Sequence, residues 1–244
     1  SSNQGKGGTI SLTALDNINT ANLSTLSFAD DAGAISITSI NGTIDTTSGV
    51  IASDSGFGNA ATVNLSAFGD INTAKIDSFS ARGDGGKITM NSSSGSINTN
   101  GVLNSQSGLG NGADIILNAE GDIEISEIQT FSVSGNGGDI EINSNSGIIN
   151  TNGNLLRTFS AIDGEQGNGG NVSLRAGGDI YTGKILTGTD GTGVGGDINI
   201  TSRNGSIDTT VNTVALGISS EADVTSEEVT TVFSEGNSVN KDRK

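Results

Sequence analysis

The chain contains no cysteine, histidine, proline or tryptophan, and aromatics make up only 3% of its 244 residues. Without cysteine there is no disulfide framework, no thiol nucleophile and no thiolate metal site, though secretion through an envelope stays compatible. Without histidine, imidazole acid–base catalysis and the usual zinc sites are excluded. So few large rings cannot fill the thick core of a globular domain of this length. Positive charge is scarce too, with 11 Lys and Arg against 27 Asp and Glu and a formal net charge of −16. That balance argues against nucleic acid, whose binders need a basic face, and against adsorption to anionic headgroups. It keeps a repetitive β-protein soluble and apart from its neighbours. No run approaches the ~18 apolar residues of a membrane span. The chain opens with neither a cationic-then-apolar signal segment nor Met, and reads as a piece from inside a longer protein.

Glycine, in contrast, is abundant at 38 residues, and it punctuates a phrase that recurs eight times. Gly8-Thr9-Ile10-Ser11-Leu12 returns from Gly33, Ala61, Gly86, Ala113, Gly138, Gly170 and Gly196, in steps of 25, 28, 25, 27, 25, 32 and 26 residues. Apolar residues at fixed places in each copy argue against disorder, and a short period marks a solenoid that buries its apolar side by stacking. Two flavours alternate. One carries Ile10-Ser-Leu, Val63-Asn-Leu, Ile115-Ile-Leu and Val172-Ser-Leu; the other carries Ile35-Ser-Ile, Ile88-Thr-Met, Ile140-Glu-Ile and Ile198-Asn-Ile. Outer positions are apolar and middle ones mostly polar, as a strand with one inward face requires.

A second column follows at Ile18, Ile44, Ile71, Ile97, Ile123, Ile149, Ile180 and Ile207, with offsets that alternate between 10 and 11 in step with the flavours. Two residues on stand Thr20, Thr46, Thr73, Thr99, Ile125, Thr151, Thr182 and Thr209, expected inward or at a corner with hydroxyls bonded to backbone. The residues between point outward, and their acids (Asp45, Glu124, Asp208) never fall in adjacent copies. At ~4.8 Å per coil these carboxylates stand ~14 Å apart, beyond a ~10 Å screening length. The asparagines of this column can hydrogen-bond along its length without any ligand.

A third strand signal appears at Leu23, Ile76, Ile128 and Ile185, followed three residues on by Leu26, Phe79 and Phe131, with Gly188 at that place in the last copy. The second flavour is looser here, at Val50, Val102 with Leu103, and Leu155, and the long stretch from Leu155 to Gly170 is expected to project as a loop. Junctions such as Gly83-Asp84-Gly85-Gly86 and Gly135-Asn136-Gly137-Gly138 are expected to supply corners of positive φ. Three short parallel strands per coil make an all-β parallel β-helix of about eight coils and two coil types, over residues 1–217. Seven steps give a rod of ~34 Å. The acidic segment 218–244, with Val224, Val229, Val232 and Phe233, is read as a capping helix, a ragged ninth coil or a flexible tail.

Little in this pattern resembles a reaction centre. Asp30-Asp31 sits in a turn, and Arg82, Arg157, Arg175 and Arg203 occupy unrelated repeat positions. Asp70, Asp122 and Asp179, with Asn17 in the first copy, recur before the isoleucine column and are read as Asx bonds that stabilise turns. Asp114 and Asp139 stack in adjacent coils, where a Ca²⁺ could bridge them, yet the Gly-Gly-x-Gly-x-Asp nonapeptide is missing. Ice-binding faces need outward threonine ranks, whereas this threonine column faces inward. The sequence therefore assigns no catalytic, cofactor-binding or metal-ligating residue.

Gly69-Asp70-Ile71-Asn72-Thr73, Gly95-Ser96-Ile97-Asn98-Thr99 and Gly137-Gly138-Asp139-Ile140-Glu141-Ile142 resemble repeats of filamentous-haemagglutinin-like proteins, large bacterial exoproteins of two-partner secretion systems. The resemblance covers about residues 5–217. It implies a right-handed parallel β-helix, export through an outer-membrane two-partner-secretion transporter, an extracellular or cell-surface location, and a role in adhesion or surface assembly. The family's N-terminal secretion domain has Asn-rich motifs that are not found here, so partnership with the transporter would run through a domain outside these residues. The expectation is a non-catalytic stalk of a secreted or surface-attached adhesin, with host or surface glycans or proteins as partners, no nucleic acid and no membrane span. The alternative is a carbohydrate-binding or carbohydrate-cleaving β-helix with contacts at Arg157, Phe159 and the loop after Leu155. A third reading is a structural module attached to an intracellular signalling or protease-like domain.

Overall fold

Alternation of apolar and polar residues puts one side chain in two on each face of a strand, and each copy of the repeat makes one five-residue strand of this kind. In the computed structural model these strands, from Ile10–Ala14 and Ile35–Ser39 through Val172–Ala176 to Ile198–Ser202, lie side by side in parallel. The structure describes residues 5–160, 167–189 and 193–209, and the backbone of two further strands, Thr231–Ser234 and Asn237–Ser238. Most of 218–244, including Val224 and Val229, lies outside the described residues, as do the boundary at 217 and positions 161–166 of the expected projecting loop.

The chain is an all-β parallel β-solenoid. Its first sheet holds the eight repeat strands and is extended by Thr231–Ser234, parallel to Ile198–Ser202, and by Asn237–Ser238, which is antiparallel. The second sheet has eight strands, from Ile18–Asn19 to Ile207–Asp208, and the third has seven, from Leu23–Ser24 to Ile185–Leu186. No helix among the described residues is long and apolar enough to cross a membrane.

Register follows the repeat without slippage. Ile10, Ile35, Val63, Ile88, Ile115, Ile140, Val172 and Ile198 are partners in succession, as are the eight isoleucines of the second sheet. From Ile35 through Ile180 nearly every member is sealed from solvent, while Ile10, Leu12, Leu23, Ile185, Ile198 and Ile207 at the two ends are only partly covered. A one-residue slip would turn every one of these side chains outward, so burial fixes the pairing.

The threonine column is inward as expected, with Thr46, Thr73, Thr99, Thr151 and Thr182 all buried. Its hydroxyls are less uniform than expected. Thr99 Oγ1 accepts from Ser126 N at 3.1 Å and Thr151 Oγ1 from Gly183 N at 2.9 Å, whereas Thr73 Oγ1 is buried without a partner.

The third sheet departs from the sequence reading in two ways. First, it is as regular in the second flavour as in the first: Ile51, Leu103 and Leu156 pair in line with Leu23, Ile76, Ile128 and Ile185. Val50, Val102 and Leu155 are the residues just before these strands, displaced because the preceding corner is longer. Second, Leu26, Phe79 and Phe131 are not part of the core. Three residues on from an inward side chain is an outward position in a strand, and Leu26 is 37% exposed. The inward places at two and four residues on belong to hydroxyls, such as Thr25 and Ser27, Ser53 and Ser55, Ser105 and Ser107, or Thr158 and Ser160, all buried.

Glycine also serves a different purpose from the one expected. Among the described residues only Asn152 and Gly153 have φ in the left-handed region, at 51° and 73°. The junction glycines are demanded by close stacking: a Cβ at Gly86 would lie 2.2 Å from the carbonyl oxygen of Ala61 in the coil beneath, and one at Gly138 would lie 2.4 Å from that of Ala113.

Candidate functional site

Three corners join the sheets, and at each the polar side chains turn towards the neighbouring coil. At the corner before the second sheet, Asn17, Asp70, Asp122 and Asp179 each present Oδ1 to a backbone N–H of the next coil, at Thr43, Ser96, Ile148 and Ser206 over 2.6–2.9 Å. The sequence predicts Asx bonds within single turns here; these side chains bridge coils instead, because the corner N–H above them has no strand partner. The Ser206 N–H, then its hydroxyl, and the Tyr181 hydroxyl hold the Asp179 carboxyl below its ordinary range.

A second column runs along the corner before the first sheet without a break. Asp31, Asn59, Asp84, Asn111, Asn136 and Asn168 each accept a backbone N–H from the coil above, at 2.7–2.9 Å, ending at Val194 N. Serine completes this corner. Ser107 Oγ donates to Gly83 O at 2.6 Å, in the coil below, and accepts Gly110 N at 2.7 Å, closing its own turn; Ser80 and Ser132 repeat both bonds. At the end of the first sheet the same device alternates: Ser39, Ser92, Ser144 and Ser202 bond to the coil below, while Ala14, Ala67, Ala119 and Ala176 hold the position in the other coil type.

The candidate acids are spent in this stacking. Asp31 Oδ1 accepts Asn59 N at 2.9 Å and Oδ2 meets Lys6 Nζ at 3.2 Å, and in that order these contacts lower its carboxyl. Asp30 Oδ1 takes the Asp31 N–H, so the pair does not converge on one point. Asp114 and Asp139 are in register in adjacent coils, but Asp114 Oδ1 accepts the Asp139 N–H at 3.1 Å and Oδ2 lies 3.8 Å from Lys87 Nζ. No described group of three or more acids is placed to hold a metal ion.

The arginines divide into two pairs. Arg82 lies over the Phe57 ring at 4.6 Å, and Arg157 over Phe131 at 4.0 Å and Phe159 at 5.3 Å. They belong to an aromatic face that the sequence reading did not foresee. Of the seven phenylalanines in the chain, Phe28, Phe57, Phe79, Phe131 and Phe159 lie on the outside of the third sheet or on the turn after it. Phe28 and Phe57 meet edge to face at 5.3 Å and remain 62% and 48% exposed, whereas Phe159 is buried. Asp54 stands on this face between Leu26 and Phe79. Burial pushes its carboxyl up to about 6, with Asp77 adding to the rise and the Phe79 N–H and Lys75 opposing it.

Arg175 and Arg203 line a groove of ≈ 500 Å³ outside the first sheet, with Glu120, Glu141, Asn143 and Asn145. Amides run along its floor, Asn143 Nδ2 donating to Asn118 Oδ1 and Asn118 Nδ2 to Asn91 Oδ1, both at 2.9 Å. Asn145 Nδ2 donates to Glu120 Oε2 at 2.7 Å and Asn143 Nδ2 to Glu141 Oε1 at 2.9 Å. The structure thus places Arg175 and Arg203 together and keeps them apart from Arg82, Arg157 and the Asp30-Asp31 turn. No protein-family model, curated protein or solved structure matches the chain.

Proposed function

We propose that this chain is a non-catalytic stalk segment of a secreted or surface-attached bacterial adhesin, of the filamentous-haemagglutinin-like kind, located outside the cell. The observation that carries the reading is where the polar chemistry goes. Carboxylates, amides and hydroxyls at the corners are used on the backbone of the adjacent coil, so the side chains that elsewhere make active sites here hold coil to coil. A rod stapled this way suits transmission of force and projection of other domains. Its partners would be an outer-membrane two-partner-secretion transporter, engaged through a separate N-terminal domain, and the glycans or proteins of the surfaces that its distal domains meet.

Solution scattering together with single-molecule stretching tests the reading. A stalk gives a rod-like profile with a cross-section constant along its length, and unfolds at high force in steps of whole coils. A compact profile, or release at low force as one unit, overturns it. The carbohydrate-binding alternative draws support from the exposed rings of Phe28 and Phe57, because aromatic faces pack against the apolar side of sugars. A glycan array with the parent chain and Phe57→Ala separates the two: a specific signal lost in the variant favours binding, and uniform silence favours the stalk.

A further inference from the structure

The chain has eleven lysines and arginines, and most of those described are engaged. Lys6, Lys75 and Lys87 pair with Asp31, Asp77 and Asp114. Arg82 and Arg157 stack on rings, whereas Lys184 Nζ is buried without a hydrogen-bond partner and is closed to a ligand. Arg203 makes two long contacts of 3.4 Å from Nη1 and Nη2 to Asn145 Oδ1, reaching past the coil between because that coil carries Gly177 at the corresponding corner. The exposed cation left over is Arg175, whose side chain makes no hydrogen bond, ion pair or ring contact among the described residues. It lines the same groove as Arg203.

A guanidinium is a planar fork of N–H donors suited to two parallel bonds to a carboxylate or phosphate. Two of them, one uncommitted and one loosely held, border a gap where Gly177 contributes no side chain. Further along the groove the chemistry changes to acceptors. The Glu120 and Glu141 carboxylates each hold one amide N–H and keep lone pairs for hydroxyl donors. At ≈ 500 Å³ the groove has room for a ligand of one or two sugar-sized rings.

We propose that this groove is a binding site for a hydroxyl-rich oxyanion, a sugar acid or sugar phosphate, whose charged group sits between Arg175 and Arg203 and whose hydroxyls face Glu120, Glu141 and the amide floor. The site is open to water, so affinity is modest, in the range of about 1 mM. It is independent of the stalk reading: a rod binds or fails to bind here without altering its stiffness.

The test is a titration of the full chain with glucuronate, glucose 6-phosphate and glucose, followed by the side-chain Nε–H signals of the arginines and by calorimetry. Glucuronate or glucose 6-phosphate is expected to saturate and to move Arg175 and Arg203 while leaving Arg82 and Arg157 still; the tighter of the two identifies the oxyanion. Glucose alone is expected to be silent. Arg175→Ala should weaken binding at least tenfold. Arg175→Lys, which keeps the charge and loses the fork, should weaken it about threefold, and Glu141→Gln should strengthen it by a similar factor. Both arginines are exposed, so these variants keep the fold, and circular dichroism checks that. No saturation by either anion below about 50 mM, or equal affinity in Arg175→Ala, overturns the site.

Discussion

The inward faces of the second and third sheets differ in how much hydroxyl they carry although the same coils run through both. In the second sheet each coil turns in one isoleucine, in an unbroken column, and one further residue that is threonine in most coils and Ile125 in the fifth. The coils adhere there mainly because apolar area leaves water. In the third sheet one Ile or Leu per coil is followed by two inward hydroxyls, so most of that wall is polar and nonetheless sealed. Those hydroxyls are tolerated because each has a carbonyl to meet: Ser105 Oγ donates to Gly86 O at 2.7 Å and Thr130 Oγ1 to Gly138 O at 2.6 Å. A solenoid wall can thus be closed by burial or by satisfied hydrogen bonds. The second route needs glycine-rich backbone brought within reach, which the corner before the first sheet supplies.

The sharpest way to break this contrast is to put a charge into the apolar wall. Ile97 is 1% exposed, and Ile97→Asp should cost at least about 4 kcal/mol through an unpaired buried carboxylate. Thermal unfolding indistinguishable from the parent would sink the inward-ladder assignment. On the hydroxyl wall the damaging change is apolar. Ser107→Ala removes the bond to Gly83 O and orphans Gly110 N, and should cost about 2 kcal/mol, more than the ~1 kcal/mol of Ile97→Val. Chemical denaturation of the two variants side by side reads the order directly; a smaller loss for Ser107→Ala would mean that the hydroxyls merely fill space.

Asp54 probes the outside of the same wall. Its folded-state value of about 6 lies above the ordinary 3.8, so the folded chain holds this proton more tightly than the unfolded one. The stability it contributes is complete below about pH 3.8 and lost as pH rises through about 6. Asp54→Asn keeps an oxygen for the Phe79 N–H, and should gain about 1–2 kcal/mol near neutral pH, allowing for residual solvent contact, with no gain in acid. A gain equal at both pH values would remove titration as its cause. The smallest effect belongs to the corners. Asp122→Asn should leave stability within about 0.5 kcal/mol, since Asn17 performs the same task in the first coil, while Asp122→Ala should lose about 1 kcal/mol with the Ile148 N–H bond. Equal melting of both would show that this acceptor is dispensable.

The same contrast explains what could be read from the residues alone. Ile18 to Ile207 announce their wall because isoleucine recurs against polar neighbours, and apolar periodicity is the primary signal of a strand face. Ser53, Ser80, Ser107 and Ser132 announce nothing, because serine beside glycine and aspartate looks the same buried or exposed. Leu26, Phe79 and Phe131 add apolar residues on the outer face, which masks the alternation that would have marked the hydroxyls as inward. Asp70, Asp122 and Asp179 were visible as a column, but which N–H they would meet depends on the stacking. The pairing of Arg175 with Arg203 was hidden for a simpler reason: they lie at different places in the repeat, on a strand in one coil and at a corner in the next.

At the end of the first sheet, Ser39, Ser92, Ser144 and Ser202 alternate with Ala14, Ala67, Ala119 and Ala176. This gives the rod a parity. A coil of either type finds its complement only in the other, so a single coil added or deleted places like against like and leaves a serine facing a corner of the wrong length. Duplication or loss of coils in pairs preserves every contact. The heritable unit of length in such a solenoid is therefore two coils, and natural variants of this chain should differ by even numbers.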